Sequence, residues 1–434
     1  MENRPAWSSQ FAFILAAIGS AVGLGNIWRF PYIMGKNGGA VFLFVYLLLI
    51  FFICSIPLLS ELVYGKHTQK GVLDSFVQVN PKLKIFGWLD IATSVMISSF
   101  YFVVGGWIIF YIIKSFSMTA INDFGAYFTE FTASPVYSIV LTIAFLFMCI
   151  FFVYRGVNKG IETANKIMMP IFGILLVALV CVSLSLPNAN LGLEFMFKPD
   201  FSKFTPVMVL EALGQALFTL SIGMGAILTY GSYLKKEDSI LKSAYSIIIA
   251  DTIFAVLAGI MIFPAVFSFG LEPNSGAGLV FITLPQIFTQ MPFGGLISCG
   301  FFCLLFFAAL TSGISIVEVT VSAFIDNYKM SRHKASVIMF LMVAILAVPV
   351  SLSFGLLKNL TLGGKTIFDI FDFVTANIMM PINSLVICVV VGWLLKISND
   401  CIFKNRFLHE LFLFMCRFIL PVLFVLLIIA GLKG

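Results

Sequence analysis

Apolar runs alternate with short polar segments along the whole chain, at roughly 11–35, 40–64, 86–115, 136–154, 167–186, 206–230, 240–270, 294–325, 335–354, 367–395 and 407–432. A helix that crosses a bilayer needs about 20 mostly apolar residues. The pattern therefore predicts an all-α polytopic membrane protein with about eleven transmembrane helices. Two of the runs are interrupted by glycine and polar residues. The first holds Gly19-Ser20-Ala21-Val22-Gly23-Leu24-Gly25-Asn26, and the sixth holds Gln215 to Gly225, with Ser221, Gly223 and Gly225. Irregular backbone at membrane depth persists only where protein or a water-filled cavity surrounds it, so both stretches read as broken helices lining a site.

The two interruptions lie five spans apart. Paired Gly-interrupted segments in corresponding halves are the best sequence pointer to a transporter built from inverted repeats. This predicts one transmembrane domain over 1–434, with repeat one at about 11–186, repeat two at about 206–395 and an extra helix at about 407–432. The segment from about 272 to 293, with Pro273, Gly276, Gly278 and Pro292, is too polar at its start to span and is expected to form a capping loop.

Loop charges set an orientation. Lys66, Lys70, Lys82 and Lys84, then Arg155, Lys159 and Lys166, then Lys235, Lys236 and Lys242 fall on one side of an alternating chain. Lys329, Arg332 and Lys334, and Lys396, Lys404 and Arg406, fall there too. Asp123, Glu130, Glu194, Asp200 and Glu272 fall on the other. The positive-inside rule then places the N-terminus in the cytoplasm and, with an odd span count, the C-terminus outside a multi-pass inner (plasma) membrane protein.

Composition agrees with this class. Charged residues make up 11% of the 434 positions and hydrophobic ones 60%, against about 25% charged in soluble domains. The net charge of +6 is explained by the cytoplasmic loops and asks for no nucleic-acid partner. The eight cysteines sit mostly in apolar runs, and the three histidines, His67, His333 and His409, in polar segments. No metal set or disulfide framework is implied. No cleaved signal peptide is expected, since the first apolar run carries the broken site. No His-Glu-x-x-His, Gly-x-Ser-x-Gly or paired catalytic carboxylates occur, so an enzyme is not expected.

Several motifs carry a family resemblance. Gly19 to Pro31, reading GSAVGLGNIWRFP, is followed by Asn37-Gly38-Gly39. Tyr154-Arg155-Gly156 with Lys159-Gly160-Ile161-Glu162, Phe218-Thr219-Leu220-Ser221, Phe281-Ile282-Thr283-Leu284-Pro285 and Ala308-Ala309-Leu310-Thr311-Ser312 follow in order. Together, from Arg4 to about Lys396, they resemble the neurotransmitter:sodium symporter family, specifically its short eleven-helix bacterial branch. The resemblance implies sodium-coupled uptake of amino acids by alternating access, with the breaks in helices 1 and 6.

The implied roles match the residue chemistry. Amides near Gly23, Leu24 and Gly25 would receive a carboxylate at a helix start, with Tyr101 as a second hold. Carbonyls around Ala21, Phe218, Thr219 and Ser221 would take the amine. Gly23 and Gly25 read without the family would equally serve close helix packing. Two sodium ions are implied. Site one would use Ala21, Asn26, Thr219, Asp251 and the substrate carboxylate; site two would use Gly19, Val22, Ala308, Thr311 and Ser312. Thr311 and Ser312 taken alone would simply bond back to their own helix.

Asp251 stands where a leucine-carrying member of the family has an amide. Animal members require chloride, and a hydroxyl of their chloride site corresponds to Ala255 here. The expectation is that Asp251 supplies the negative charge and transport needs no chloride. Glu61, a second intramembrane acid, either shares that role or accepts bonds from broken-helix amides.

Arg29 and Asp372 would pair, directly or through water, as an outer gate above an aromatic lid of Tyr101 and Phe218. Arg4 would pair with Asp326 on the cytoplasmic side, with Trp7, Ser232 and Tyr233 beside them. The side-chain pocket would be walled by Ser20, Ile97, Tyr101, Phe218, Met224, Ser312 and Ile316. Methionine adapts to differently shaped ligands, and Met224 stands where the leucine carrier has a phenylalanine. Aromatic amino acids are therefore expected ahead of leucine. Branched-chain amino acids or other small amines are the alternative cargo, and an ion channel the more distant one. Oligomeric state is not legible.

Overall fold

The computed structural model describes residues 5–271, 278–397 and 402–433. The described residues form helices joined by short loops, with no β-strand among them. Among the described residues nine helices are long and apolar enough to cross a membrane, and a tenth crossing is a bent pair. The sixth expected span is present as two shorter pieces.

The first span starts on Ser9, whose side chain accepts from the Ala12 amide, and runs as a helix over Gln10–Ala21. It breaks at residues 22–24, resumes as a π-helical turn over Gly25–Arg29, and continues to Lys36 with a bend of 48°. The sixth span starts on Thr205, which caps Met208, with Pro206 in the first turn. Pro has no N–H to lose there, so it suits the position. This helix holds to Thr219, unwinds over residues 220–225, and resumes at Ala226–Gly231. The break is shorter than the sequence predicts, because Gln215 and its neighbours stay helical. Ser221, Gly223 and Gly225 all take positive φ, at 54°, 78° and 74°. Gly223 and Gly225 populate that region without a Cβ penalty.

The two broken spans are enclosed by the other helices. The second, seventh and eighth spans pack on them, the fifth packs on the first as well as on the seventh and eighth, and the third and tenth reach the breaks through Tyr101 and Asn383. In the third and eighth spans 78% of the most apolar window is buried, against 28% in the eleventh. The eleventh, Arg406–Leu432, packs on the tenth and presents Val422, Val425, Leu426 and Ile429 outward. That sorting makes it a peripheral, lipid-facing helix.

The expected capping loop is corrected in part. Residues 272–277 lie outside the described residues, but Leu279–Thr283 and Leu284–Thr289 are helical turns. Their apolar side chains Leu279, Val280, Phe281 and Ile287 are buried, so burial of a short apolar run ordered what the glycines and prolines advertised as loop.

Candidate functional site

The two helix breaks meet, and hydroxyls stitch them. Ser221 Oγ donates to the Ser20 carbonyl at 2.9 Å, and Ser312 Oγ donates to the carbonyls of Ser20 at 3.1 Å and Gly19 at 3.3 Å. Ser20 and Ser315 share a hydroxyl bond of 2.7 Å. Broken helices leave carbonyls and amides without intrahelical partners, and these side chains satisfy part of that demand.

One small cavity of about 20 Å³ lies at this junction. Ser20, Ala21, Gly23, Leu24, Gly25, Ile97, Tyr101, Phe218, Thr219, Ser221, Met224, Ser312 and Ile316 line it, which is the whole set of substrate-binding candidates. The Tyr101 hydroxyl is buried beside Ser312 and the Leu24 backbone and makes no well-formed hydrogen bond among the described residues. A Cβ on Gly23 would meet Ser312 Oγ at 2.5 Å and the Tyr101 hydroxyl at 3.3 Å. Gly23 is thus small because hydroxyls approach the backbone there. An unpartnered buried hydroxyl costs about 1–3 kcal/mol, and a polar ligand group would relieve it.

The amide cradle differs in detail from expectation. The Gly23 N–H is already taken by Asn26 Oδ1 at 3.1 Å, while Leu24 and Gly25 stand at the start of the resumed helix. Asn26 reaches the break from three residues on, a local bond that sequence spacing did not reveal.

Asn26, Thr219 and Asp251 come together beside the cavity. Asp251 Oδ1 accepts from Asn26 Nδ2 at 2.8 Å and from Thr219 Oγ1 at 3.0 Å, and the Tyr46 hydroxyl approaches Oδ2 at 3.4 Å. Asp251 is fully buried, and no cationic side chain bonds it. This is an oxygen-rich, anionic cluster suited to a hard cation. Ala21, at the end of the first half-helix, lines the adjoining cavity.

Of the second oxygen group, Ser312 and Gly19 meet across two spans. Ser312 bonds the Gly19 carbonyl, and Thr311 Oγ1 donates to the carbonyls of Phe307 at 2.9 Å and Ala308 at 3.1 Å. Val22 ends the first half-helix, its N–H bonded to the Ile18 carbonyl. Glu61 is placed as well. Its Oε1 accepts from the Gly223 amide at 2.6 Å, so it holds the unwound sixth span, one of the two roles left open for it.

The two ends of the site are built differently. Above Phe218 opens a vestibule of about 710 Å³ lined by Arg29, Tyr32, Asp372, Asn377 and Met380. Phe218 borders both the vestibule and the inner cavity, so it is the partition. The Arg29 guanidinium lies over the Phe218 ring, 4.7 Å from its centre. Arg29 and Asp372 form no ion pair among the described residues. Of the two pairings expected, direct or through water, the direct one is absent here: the two charges face one open space and the guanidinium lies on the ring.

The opposite end is closed. Trp7 is buried, its Nε1 donating to the Tyr230 carbonyl at 3.0 Å and its backbone N–H to the Tyr233 carbonyl at 3.2 Å. Its ring packs against Phe13, Tyr230 and Tyr233. Ser232 Oγ donates to the Thr229 carbonyl at 2.5 Å. Arg4 lies outside the described residues, and Asp326 Oδ2 accepts from the Gly71 amide at 2.6 Å.

Sequence reasoning missed the strongest closures at this end. Arg332 makes a two-pronged pair with buried Glu318, at 2.7 and 2.8 Å, and the Tyr233 hydroxyl donates to the same carboxylate at 2.6 Å. Glu162 accepts from Ser8 N–H at 3.1 Å and Ser8 Oγ, and from Lys166 at 2.6 Å. Asn165 and Gln215 were missed too. Gln215 Nε2 donates to the Gly25 carbonyl at 2.9 Å and so ties the sixth span to the first break. An amide or acid in an apolar span was the available signal.

Comparison with known proteins agrees with this geometry. The profile of the Sodium:neurotransmitter symporter family matches residues 4–124 and 130–433. An uncharacterized sodium-dependent transporter, YhdH of Bacillus subtilis (strain 168), is 40% identical over 406 residues, covering 92% of this chain and 90% of that protein. A second such transporter, from Haemophilus influenzae, is 36% identical, covering 91% and 90%. The crystal structure of MhsT in complex with L-phenylalanine superposes with a TM-score of 0.90 at 40% identity, over 99% of this chain and 100% of that one.

Proposed function

The chain belongs to the sodium:neurotransmitter symporter family, and we propose that it imports large hydrophobic L-amino acids, aromatic ones foremost, with sodium and without chloride. The observation that carries this is the cavity at the junction of the two helix breaks, walled by Ile97, Tyr101, Phe218, Met224 and Ile316. Its polar end offers helix-start amides and the buried Tyr101 hydroxyl; its other walls are apolar. The related MhsT structure holds L-phenylalanine, which supports an aromatic cargo.

Binding proceeds through the open vestibule. The carboxylate meets the Leu24 and Gly25 amides and the Tyr101 hydroxyl, and the amine meets carbonyls at Ala21, Phe218, Thr219 and Ser221. The closed cavity is smaller than any aromatic side chain, so its walls part on entry, and Met224 is the flexible wall. Sodium at site one lies among Ala21, Asn26, Thr219 and Asp251 and touches the substrate carboxylate, which couples ion to cargo. Sodium at site two lies among Gly19, Val22, Ala308, Thr311 and Ser312. Asp251 supplies a fixed negative charge, which removes the need for chloride.

The vestibule faces outside and the Trp7 end faces the cytoplasm, following the loop charges. Alternating access closes Phe218 under Arg29 and Asp372, then releases the Trp7 end. Five-helix inverted repeats, one holding each break, give the two ends their complementary motion. Two sodium ions crossing with a zwitterion gain about 4.6 kcal/mol per 100 mV, enough to concentrate cargo by about a thousandfold.

Uptake of labelled L-phenylalanine into proteoliposomes, competed by a panel of amino acids, tests the cargo. Tyrosine, phenylalanine and tryptophan should compete ahead of leucine, and failure of every aromatic to compete would sink the reading. Replacing chloride by gluconate on both sides should leave the rate unchanged; collapse of uptake would refute the role given to Asp251.

A further inference from the structure

The fifth span, Val157–Leu184, contributes no residue to the sodium sites as assigned above, yet it aims an oxygen at one of them. Asn165 is 1% exposed, and its Oδ1 has no hydrogen-bond partner. The other arm of the same amide is committed, since Nδ2 donates to the Ile161 carbonyl at 2.9 Å. Rotating the amide would set Oδ1 against that carbonyl, two acceptors facing each other, so the orientation is fixed by its surroundings. The free oxygen points at Gly19. A Cβ on Gly19 would overlap Asn165 Oδ1 and would lie 3.3 Å from Thr311 Cβ.

Gly19, Thr311 and Asn165 Oδ1 therefore share one spot between the first, fifth and eighth spans. A buried acceptor without a donor costs about 1–3 kcal/mol. Among the described residues no N–H or O–H side chain answers it, while a hard cation is bound by such amide oxygens. We propose that Asn165 Oδ1 is a further oxygen ligand of the second sodium ion, supplied by the fifth span. This rests on the reading of Gly19, Val22, Ala308, Thr311 and Ser312 as a sodium site.

The placement has a mechanical consequence. One turn earlier on the same span, Glu162 holds the chain that leads into the first span through Ser8. An ion held by Asn165 thus draws on the helix turn that fastens the Trp7 end. Gly19 is glycine because the amide oxygen occupies the space of its side chain.

Sodium alone is the probe, so the test does not depend on the cargo. Thermal melting of the purified full-length protein is followed against NaCl, with choline chloride holding ionic strength. Binding to the folded state raises the melting temperature with ion concentration. Asn165→Ala should raise the half-saturating sodium concentration about tenfold, the lower end of what loss of a metal-supporting group costs. Asn165→Asp, which keeps an oxygen, should recover most of the response. Gly19→Ala should reproduce the defect by displacing the amide. Thr311→Ala and Asn165→Ala combined should shift the response less than the sum of their separate effects, as expected for groups on one ion.

Wild-type half-saturation in Asn165→Ala and Asn165→Asp, alongside a shifted Thr311→Ala, would overturn the proposal and leave the site-two reading intact. An unshifted response in Thr311→Ala and Ser312→Ala would overturn that reading itself, and the proposal with it. So would the absence of sodium stabilisation in the wild type. If Asn165→Ala does not fold, the comparison of Asn165→Asp with Gly19→Ala decides, since additive shifts in the two would contradict a shared ion.

Discussion

The two mouths of the site are held by different kinds of contact. At the Trp7 end the contacts are buried and multiple: an aromatic plug, a two-pronged Arg332–Glu318 pair and the Ser8–Glu162 latch. At the Arg29 end they are few and wet: a guanidinium over one ring, an unpaired Asp372 across the vestibule, and a Lys36–Glu211 pair that is half exposed on its lysine side. A transporter that alternates between two closed ends needs each closure to be breakable. The difference teaches that this conformation has its energy on one side, so substitutions at the two mouths should separate stability from gating.

The largest effect is expected at Arg332. Its replacement by alanine leaves Glu318, which is fully buried, with only the Tyr233 hydroxyl as partner. Breaking a buried ion pair by removing one member costs about 3–5 kcal/mol. Thermal melting should fall sharply, and a cysteine introduced beside Tyr233 should become reactive to a membrane-impermeant reagent from the Trp7 side. An unchanged melting temperature would remove the main support for the comparison.

Trp7→Phe keeps a ring but deletes the indole donor to the Tyr230 carbonyl. The Tyr230 carbonyl keeps the Tyr233 N–H at 3.1 Å, so the loss should be about 0.5–1.5 kcal/mol, the net value of one hydrogen bond. The same accessibility assay should show partial opening, intermediate between wild type and Arg332→Ala. Full opening would mean the plug, and not the ion pair, holds this end.

Arg29→Ala should change stability by only about 0.5–2 kcal/mol, the value of a half-buried cation–π contact. Uptake should nonetheless fall at least about tenfold, because the residue acts when Phe218 closes. Steady binding measured at equilibrium should stay closer to wild type than uptake does. A loss of stability as large as that of Arg332→Ala would erase the asymmetry between the mouths. The smallest effect belongs to Lys36→Ala, which removes a surface pair worth about 0.2–1 kcal/mol. Melting in high salt should then match the wild type.

The helix positions and the location of the site were legible in the one-dimensional pattern. Apolar runs of membrane length have few alternatives in a bilayer, since every backbone group must be satisfied internally. Glycine, serine and amide residues inside two of those runs marked the breaks, and the motif around Gly19 to Pro31 carried the family. The cavity-lining residues from Ser20 to Ile316 follow from that match, because short motifs on rigid helices keep their neighbours. The limits of the second break were not legible: Gln215 favours a break on paper but is held in a helix by its bond to the Gly25 carbonyl.

What the chain determined alone was therefore its class, its spans, its broken helices and the small residues at the breaks. Those are local or periodic properties, set by hydrophobicity and backbone freedom within a few residues. Tertiary structure alone decided which mouth is shut, that Asn26 takes the Gly23 amide, and that Arg332 answers Glu318 fourteen positions earlier. It also decided that Asn165 faces Gly19 from another span. A polar residue in an apolar run shows that a partner is required. Which partner it meets depends on how helices far apart in sequence pack and rotate, and the opening Gly19–Asn26 stretch became a site only when five other spans closed around it.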